Sequence, residues 1–346
     1  MGEGGVESYI ENIANEFCKT RNVTILSVYK RMSDTHIFDK RINISYLFDF
    51  DIAVVKKKSP LKAALHYLTR SATLKKWISK QKNCTIITTR KEHNRLFSRG
   101  NNSTIKIATE HNSLLDNPSY CSSVVKSLRN ADYFVVPSKS LFDYYAPKVS
   151  EPTKCIFIPH FLKELPSQKC AYGNKLVSMG RLASVKGFSD LIDSFALIAD
   201  KRPFELWILG EGEERQSLER QISQLGLEKK VKLPGFLGRS DYEKILIESF
   251  AFVSTSYSES FGLAALEAMS YGLPIICFSD AGGVAELASD NGCGIVIKNR
   301  NKQELAEQIL ALSDKKLAKK LGEAAREAVR LKYLPDSCVS LWEDIL

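Results

Sequence analysis

The 346-residue sequence predicts an α/β protein built from two doubly wound, Rossmann-like domains that face each other. Three observations point there. Short apolar, β-branched runs alternate with amphipathic helical patterns along the whole chain, and near-continuous apolar strands are buried on both faces by helices. The length exceeds what one core fills, roughly 250–300 residues. The stretch 159–174 (PHFLKELPSQKCAYGN) carries two prolines and little apolar periodicity, which suits a connection. The expected organisation is therefore a first domain over 1–160, a linker over 161–174 and a second domain over 175–325. A C-terminal helix over 326–346 is expected to pack back on the first domain.

The elements follow in order. Residues 6–19 (VESYIENIANEFCK) read as an amphipathic helix and 23–28 (VTILSV) as a strand. Further short, mostly apolar runs, too short for helices, stand at 84–88, 105–109, 133–136 and 155–158. Beyond the linker, strands at 176–179, 205–209, 231–233, 251–255, 274–278 and 294–297 alternate with helical patterns. Those helices cover 188–199, 215–225, 241–249, 263–271 and 303–312. One piece is missing. A glycine-rich turn normally follows the first strand of such a domain, yet the glycines of residues 2–5 (GEGG) have no strand before them. Either the true start lies upstream, which is the expected case, or the first sheet lacks a member that would usually be central. In both, the first N-terminal strand is missing from this sequence.

The charge is uneven. Residues 1–165 hold 26 Lys and Arg against 15 Asp and Glu, whereas 166–346 hold 23 against 25. Within the basic half, 56–82 has nine basic residues and no acidic one, with Leu61, Leu65, Leu68, Ala72, Trp77 and Ile78 at near-helical spacing. Such a helix suits an anionic membrane surface. The other reading turns its apolar stripe to the core. No nucleic-acid motif or aromatic stacking pattern accompanies the charge, so nucleic acid is not an expected partner. The eight cysteines are irregularly spaced without a C-x-x-C, which argues against a zinc site or a disulfide framework and for reduced thiols. No signal peptide and no run of ~20 apolar residues occurs. A cytoplasmic location, peripheral at the inner face of the plasma membrane, is expected.

The strongest chemical signal is 258–274 (SESFGLAALEAMSYGLP), which follows the strand at 251–255. Glu259 stands beyond a strand's C-terminal end, where open sheets bind ligands. Gly262 opens a helix whose free N–H groups and dipole suit a phosphate. Glu267, a turn or two on, suits sugar hydroxyls. Arg181, after Met179-Gly180, and Lys186 lie on a glycine-flanked loop and together can neutralise a diphosphate. His111 falls just past the strand at 105–109, and His160 just past that at 155–158. The pair Asp49 and Asp51 has the D-x-D spacing of a metal site, but such a pair arises by chance in a chain of this size and stands far from the other candidates.

As a set, these residues resemble the retaining glycosyltransferases of family 4, which have the glycosyltransferase-B fold. The E-x7-E string matches at Glu259 and Glu267, and the G-R-L…K-G loop at Arg181 and Lys186. The G-G-V-E turn at Gly4–Glu7, the T-E-H-N segment at Thr109–Asn112 and Gly282-Gly283-Val284-Ala285-Glu286 match too. The resemblance implies a nucleotide-sugar donor, with UDP-sugar expected, and neither cofactor nor metal. It places Arg181 and Lys186 on the donor diphosphate, the Gly262 and Leu263 amides on phosphate, Glu267 on the ribose and 234–237 by the base. His111 would face the donor sugar near the reacting carbon and Glu259 would contact that sugar, which makes them the expected catalytic residues. Gly4 and Gly5 would shape the acceptor-side loop. His160 stands where relatives carry asparagine, and no catalytic role is assigned to it. The implied reaction is transfer to a glycan or lipid-linked acceptor at the cytoplasmic membrane face, in cell-surface polysaccharide or glycolipid synthesis. The alternatives are a non-catalytic sugar-nucleotide-binding or membrane-docking partner subunit and a sugar-nucleotide epimerase of the same fold.

Overall fold

The computed structural model describes residues 5–30, 37–98, 103–114 and 118–346. Gly4 lies outside the described residues. The first half runs α1 (Gly5–Phe17), β1 (Thr24–Tyr29), β2 (Asn43–Phe48), α2 (Ile52–Lys58), α3 (Pro60–Ile78), β3 (Cys84–Thr88) and α4 (Lys91–Asn94). It continues with β4 (Thr104–Thr109), α5 (Pro118–Ser127), β5 (Tyr133–Val136), α6 (Lys139–Tyr145) and β6 (Lys154–Phe157). The second half contains β7 (Lys175–Met179), α7 (Phe188–Ala196), β8 (Glu205–Leu209), α8 (Arg215–Gln224), β9 (Val231–Gly235), α9 (Arg239–Ile247) and β10 (Ser249–Ser254). It closes with α10 (Leu263–Ser270), β11 (Ile275–Phe278), α11 (Gly283–Asp290), β12 (Gly294–Ile297), α12 (Lys302–Leu312), α13 (Lys315–Lys332) and α14 (Pro335–Glu343).

The second half forms one six-stranded parallel sheet in the order β12-β11-β10-β7-β8-β9. Every residue of β10 and β11 is buried, because helices cover both faces. Phe188, Leu191, Ile192 and Phe195 of α7, with Leu305 and Ile309 of α12, fill one side. Leu266 and Met269 of α10, Leu287 of α11 and Val329 of α13 fill the other.

The first half is divided. Strands β3-β4-β5-β6 form a parallel sheet, while β1 and β2 pair only with each other. Successive residues still point to opposite layers: Ile107 and Val135 pack beside Tyr9, Ile13 and Phe17 of α1, whereas Ala108, Phe134 and Val136 pack beside Leu74 and Ile78 of α3. Leu26 and Val28 of β1 join the same cluster as Ile86 of β3, and Val23 shares a cluster with Ile87. The two pieces thus share both apolar layers without hydrogen bonding to each other among the described residues. The first described element is α1, with no described strand before it.

Three expectations change. Strand β2 was not anticipated, because its sequence NISYLF mixes polar and apolar residues and it lies half exposed. The basic segment is two helices. Asp51 caps α2, accepting from the Ala53 amide at 2.8 Å, and Pro60 in the first turn of α3 ends α2 at Ser59. The boundary drawn at 325 falls inside α13, which stays on the second half through Ala325, Ala328 and Val329. The chain turns at Leu334-Pro335, and Trp342 and Ile345 beyond it enter the cluster of Tyr9, Ile13 and Phe17.

The structure also separates the two readings of the leucine stripe. Leu61, Leu65 and Leu68 are 85%, 61% and 78% exposed, and share an arc of about 60° around α3 at 100° per residue. Leu74 and Ile78, on the other side, are buried. The three leucines face solvent, whereas Ile78 of the same stripe faces the core. Leu74→Ala is therefore expected to cost about 2–5 kcal/mol, and Leu61→Ser to stay within about 0.5 kcal/mol of the parent. Urea unfolding of both variants checks this, and a large loss in Leu61→Ser would mean that the stripe is covered.

Candidate functional site

The order of the six-stranded sheet places the site. From β7 the chain winds outward through β8 and β9, then returns to β10 on the other side of β7 and winds out through β11 and β12. The loops after β7 and β10 therefore diverge from adjacent strands, which opens a crevice at the C-terminal edge. The loop after β7 carries Arg181 and Lys186, and the loop after β10 carries Glu259 and Gly262.

Backbone geometry brings them together. Gly187 has φ 62°, and a Cβ on it would lie 2.2 Å from the Thr255 carbonyl oxygen, so only glycine lets the two loops touch. Lys186 Nζ reaches Glu259 Oε1 at 2.5 Å, and Ser256 Oγ donates to the same oxygen at 2.8 Å. Arg181 is exposed and makes no ion pair among the described residues. Gly262 has φ 97°, and a Cβ there would sit 2.3 Å from Val284 Cγ2. It caps α10 without a side chain over the first amides, which leaves the N–H groups of that turn accessible to an anion. Leu263 touches Gly5: a Cβ on Gly5 would lie 3.5 Å from Leu263 Cδ1. Glu267, on the second turn of α10, accepts from the Tyr242 hydroxyl at 2.6 Å. Burial pushes its carboxyl pKa up, and the Tyr242 hydroxyl and the nearby Arg239 oppose that rise.

From the first half, His111 meets the same turn: Ser260 Oγ donates to the His111 carbonyl at 2.7 Å. The residue before it is a brace that sequence motifs underweighted. Glu110 is buried and accepts from the His111 and Asn112 amides at 2.9 and 2.8 Å and from the Tyr120 hydroxyl at 3.1 Å. One more residue, Arg300, was missed, and Glu286 was named only as part of a motif. Arg300 donates to the Thr255 carbonyl at 2.7 Å and to Asp190 at 2.8 Å, and stacks on Tyr257, so it holds the end of β10. Glu286 accepts from the Lys139 and Ser140 amides at 2.8 and 2.9 Å, joining the second half to α6 of the first. Arg300 is an isolated charge in the sequence, without a pattern that marks it, whereas Glu286 ends the G-G-V-A-E segment. The G-G-V-A-E segment also supports the site directly, since the Gly283 amide donates to the Glu259 carbonyl at 3.0 Å. Asp49 and Asp51 are elsewhere, the first pairing with Lys30 at 2.9 Å and the second capping α2.

Burial pushes the His111 pKa down to about 3 and that of His160 well below the usual imidazole value. The native rings refuse protons that the unfolded chain accepts below about pH 6.5. Above that pH they contribute no slope. As pH falls through it, stability is expected to drop, by at most about 1.4 kcal/mol per pH unit for each ring. Glu110, whose pKa burial raises, acts in the opposite sense. Urea unfolding between pH 7 and 5 is expected to show a shallower decline in His160→Asn than in the parent. Parallel curves would refute the neutral, buried state of that ring.

The pattern of the family described as glycosyl transferases group 1 matches residues 167–328. Among curated relatives, the poly(glycerol-phosphate) alpha-glucosyltransferase of Bacillus subtilis is 28% identical over 230 residues, 63% of this chain and 33% of that protein. The poly(ribitol-phosphate) alpha-N-acetylglucosaminyltransferase of Staphylococcus aureus is 30% identical over 188 residues, 54% of this chain and 38% of that one. The chain thus spans about a third of the first relative's length and 38% of the second's. Among solved structures, Anabaena HepE in complex with UDP and glucose superposes with TM-score 0.72 at 19% identity, covering 100% of this chain and 96% of that one. The likeness to HepE is one of fold. Residues 167–328 thus carry the pattern of the glycosyl transferases group 1 family, and the chain has the glycosyltransferase-B fold.

Proposed function

We propose that the chain transfers a sugar, with retention, from a nucleotide-sugar to a glycan or lipid-linked acceptor, and that the donor is a UDP-sugar. The observation that carries this reading is the convergence of Arg181, Lys186, Glu259 and the open N-terminus of α10 at the switch point between β7 and β10. A sugar leaving a nucleoside diphosphate develops positive charge at its anomeric carbon and negative charge on the departing phosphate. Arg181, Lys186 and the first amides of α10 stabilise that leaving charge, a task divalent metals perform in other sugar transferases. Glu267, with one oxygen held by Tyr242, offers the other to the ribose, and Glu259 offers its carboxylate to the transferred sugar. Attack by the acceptor hydroxyl on the face the phosphate leaves gives retention. The polyol-phosphate acceptors named for the two bacterial relatives are anionic, and the basic first half of this chain suits a phosphate-bearing acceptor.

The exposed leucines of α3 support an acceptor presented at the cytoplasmic membrane face. Among the described residues no helix is long and apolar enough to cross a membrane. Leu61, Leu65 and Leu68 with Lys62, Lys75 and Lys76 instead make an amphipathic surface suited to lie on anionic lipid.

Titration calorimetry with UDP, GDP and ADP tests the donor. UDP is expected to bind selectively, and both Glu267→Ala and Arg181→Ala to lose at least tenfold in affinity. Equal affinity for all three nucleotides, or unchanged affinity in the variants, would reject the assigned site. For the membrane, reversing charge at Lys56, Lys57, Lys75 and Lys76 is expected to abolish co-sedimentation with phosphatidylglycerol vesicles. Unchanged sedimentation would remove the membrane from the account.

A further inference from the structure

Three buried polar atoms sit on rings that pack together where the two halves meet, and none makes a hydrogen bond: Tyr9 Oη, His111 Nδ1 and His160 Nδ1. The residues come from three elements, α1, the end of β4 and the end of β6. Their ring centroids lie 4.5 Å (Tyr9–His111), 4.8 Å (Tyr9–His160) and 5.4 Å (His111–His160) apart. Buried side-chain polar atoms are nearly always paired, and one left unpaired costs about 1–3 kcal/mol. Three within one cluster point to a common partner.

The place and the chemistry narrow that partner. The cluster abuts the turn between Glu259 and Gly262: Ser260 Oγ donates to the His111 carbonyl, and the Phe261 ring lies 5.0 Å from that of His160. The tautomer of His111 follows from its neighbour. The single hydroxyl proton of Thr109 is used on the Thr88 carbonyl, which only accepts, at 3.0 Å. The 2.7 Å contact between Thr109 Oγ1 and His111 Nε2 therefore runs from the ring N–H to the hydroxyl. The proton of the neutral ring is on Nε2, and Nδ1 carries a lone pair. Tyr9, kept a neutral phenol by burial, has a proton to donate, and the Thr109 hydroxyl beside it is already engaged with Thr88 and His111. A phosphate oxygen would satisfy Tyr9 and oppose the lone pair, and an ammonium would do the reverse. An alcohol hydroxyl accepts from one and donates to the other.

We infer that Tyr9, His111 and His160 form a subsite for a hydroxyl of the transferred sugar, with Tyr9 and His160 setting donor specificity. The inference rests on the donor reading above. The family resemblance brings only His111 to the sugar, and the other two side chains are assigned by the geometry. Tyr9 and His160 are 6% and 5% exposed, so the sugar enters when the halves part. Separation breaks the Ser260–His111 hydrogen bond and the Phe261–His160 ring contact at this point.

The test is calorimetry with UDP, UDP-glucose and UDP-N-acetylglucosamine on the parent chain, Tyr9→Phe and His160→Asn, with melting temperatures alongside. At least one UDP-sugar is expected to bind the parent more tightly than UDP does, and Tyr9→Phe to lower that gain about 5- to 30-fold with UDP affinity unchanged. The melting temperature of Tyr9→Phe should hold or rise, since the lost hydroxyl had no partner. A purely structural tyrosine would give the opposite pattern, a lower melting temperature and an unchanged gain. Equal gains in the parent and both variants would overturn the subsite while leaving the donor site standing. Failure of UDP to bind the folded parent would overturn the donor reading, and the subsite with it.

Discussion

The adjacency of β7 and β10 in a parallel sheet is the constraint on which the site depends. It brings together two loops more than seventy residues apart in sequence, and it does so from the edge where helices begin and backbone amides are free. Arg181 and Lys186 arrive on one loop, Glu259 and Gly262 on the other, and the contact between Gly187 and the Thr255 carbonyl holds them in register. Arg300 braces the same strand end from outside by bonding the carbonyl of Thr255 and the carboxylate of Asp190. A shift of either strand would separate the cations from the helix N-terminus and dissolve the proposed anion site without altering any one of its residues.

The junction between the halves works on weaker terms. Where the sheets themselves are closed by apolar layers, this seam uses individual polar contacts: Glu286 on the amides of α6, Ser260 on the His111 carbonyl, and Asn12 Nδ2 on the Phe161 carbonyl at 2.8 Å. Each such bond contributes about 0.5–1.5 kcal/mol net, so a few can close the cleft and still release it. In the proposed transfer, closure would also exclude water, which competes with the acceptor for the sugar. The return of α14 to the first half, through Trp342 and Ile345, ties the chain's end to that half with apolar burial, a firmer link than the seam.

The surface chemistry of the first half is set by two features of one helix. Its inner side, Leu74 and Ile78, holds the layer over β4 and β5. Its outer side presents leucines flanked by lysines, with no acidic residue between 56 and 82 to offset them. Exposed apolar ridges of this kind are common at contact sites, and the adjoining positive charge suits the anionic surface proposed above.

Much of this was legible in the sequence because it rests on local patterns. The apolar runs of β7 to β12 are continuous since both faces of their sheet are buried, and such runs identify themselves. The string from Ser258 to Pro274 encodes a strand end, a glycine-opened helix and its stop, all within one turn of their neighbours. Strand β2 was not legible, because a half-exposed strand has no continuous apolar run. The helix break at Ser59-Pro60 is local and was overridden by the stronger charge pattern. What only the tertiary structure decided is which groups meet and which way they face. Nothing in the spacing of Tyr9, His111 and His160 indicates that their rings meet, since sheet order aligns the ends of β4 and β6 and apolar packing lays α1 beside them. The outward turn of Leu61, Leu65 and Leu68 depends likewise on where Leu74 and Ile78 anchor their helix. Periodicity defines a stripe, but only packing against the rest of the chain determines whether water or core lies against it.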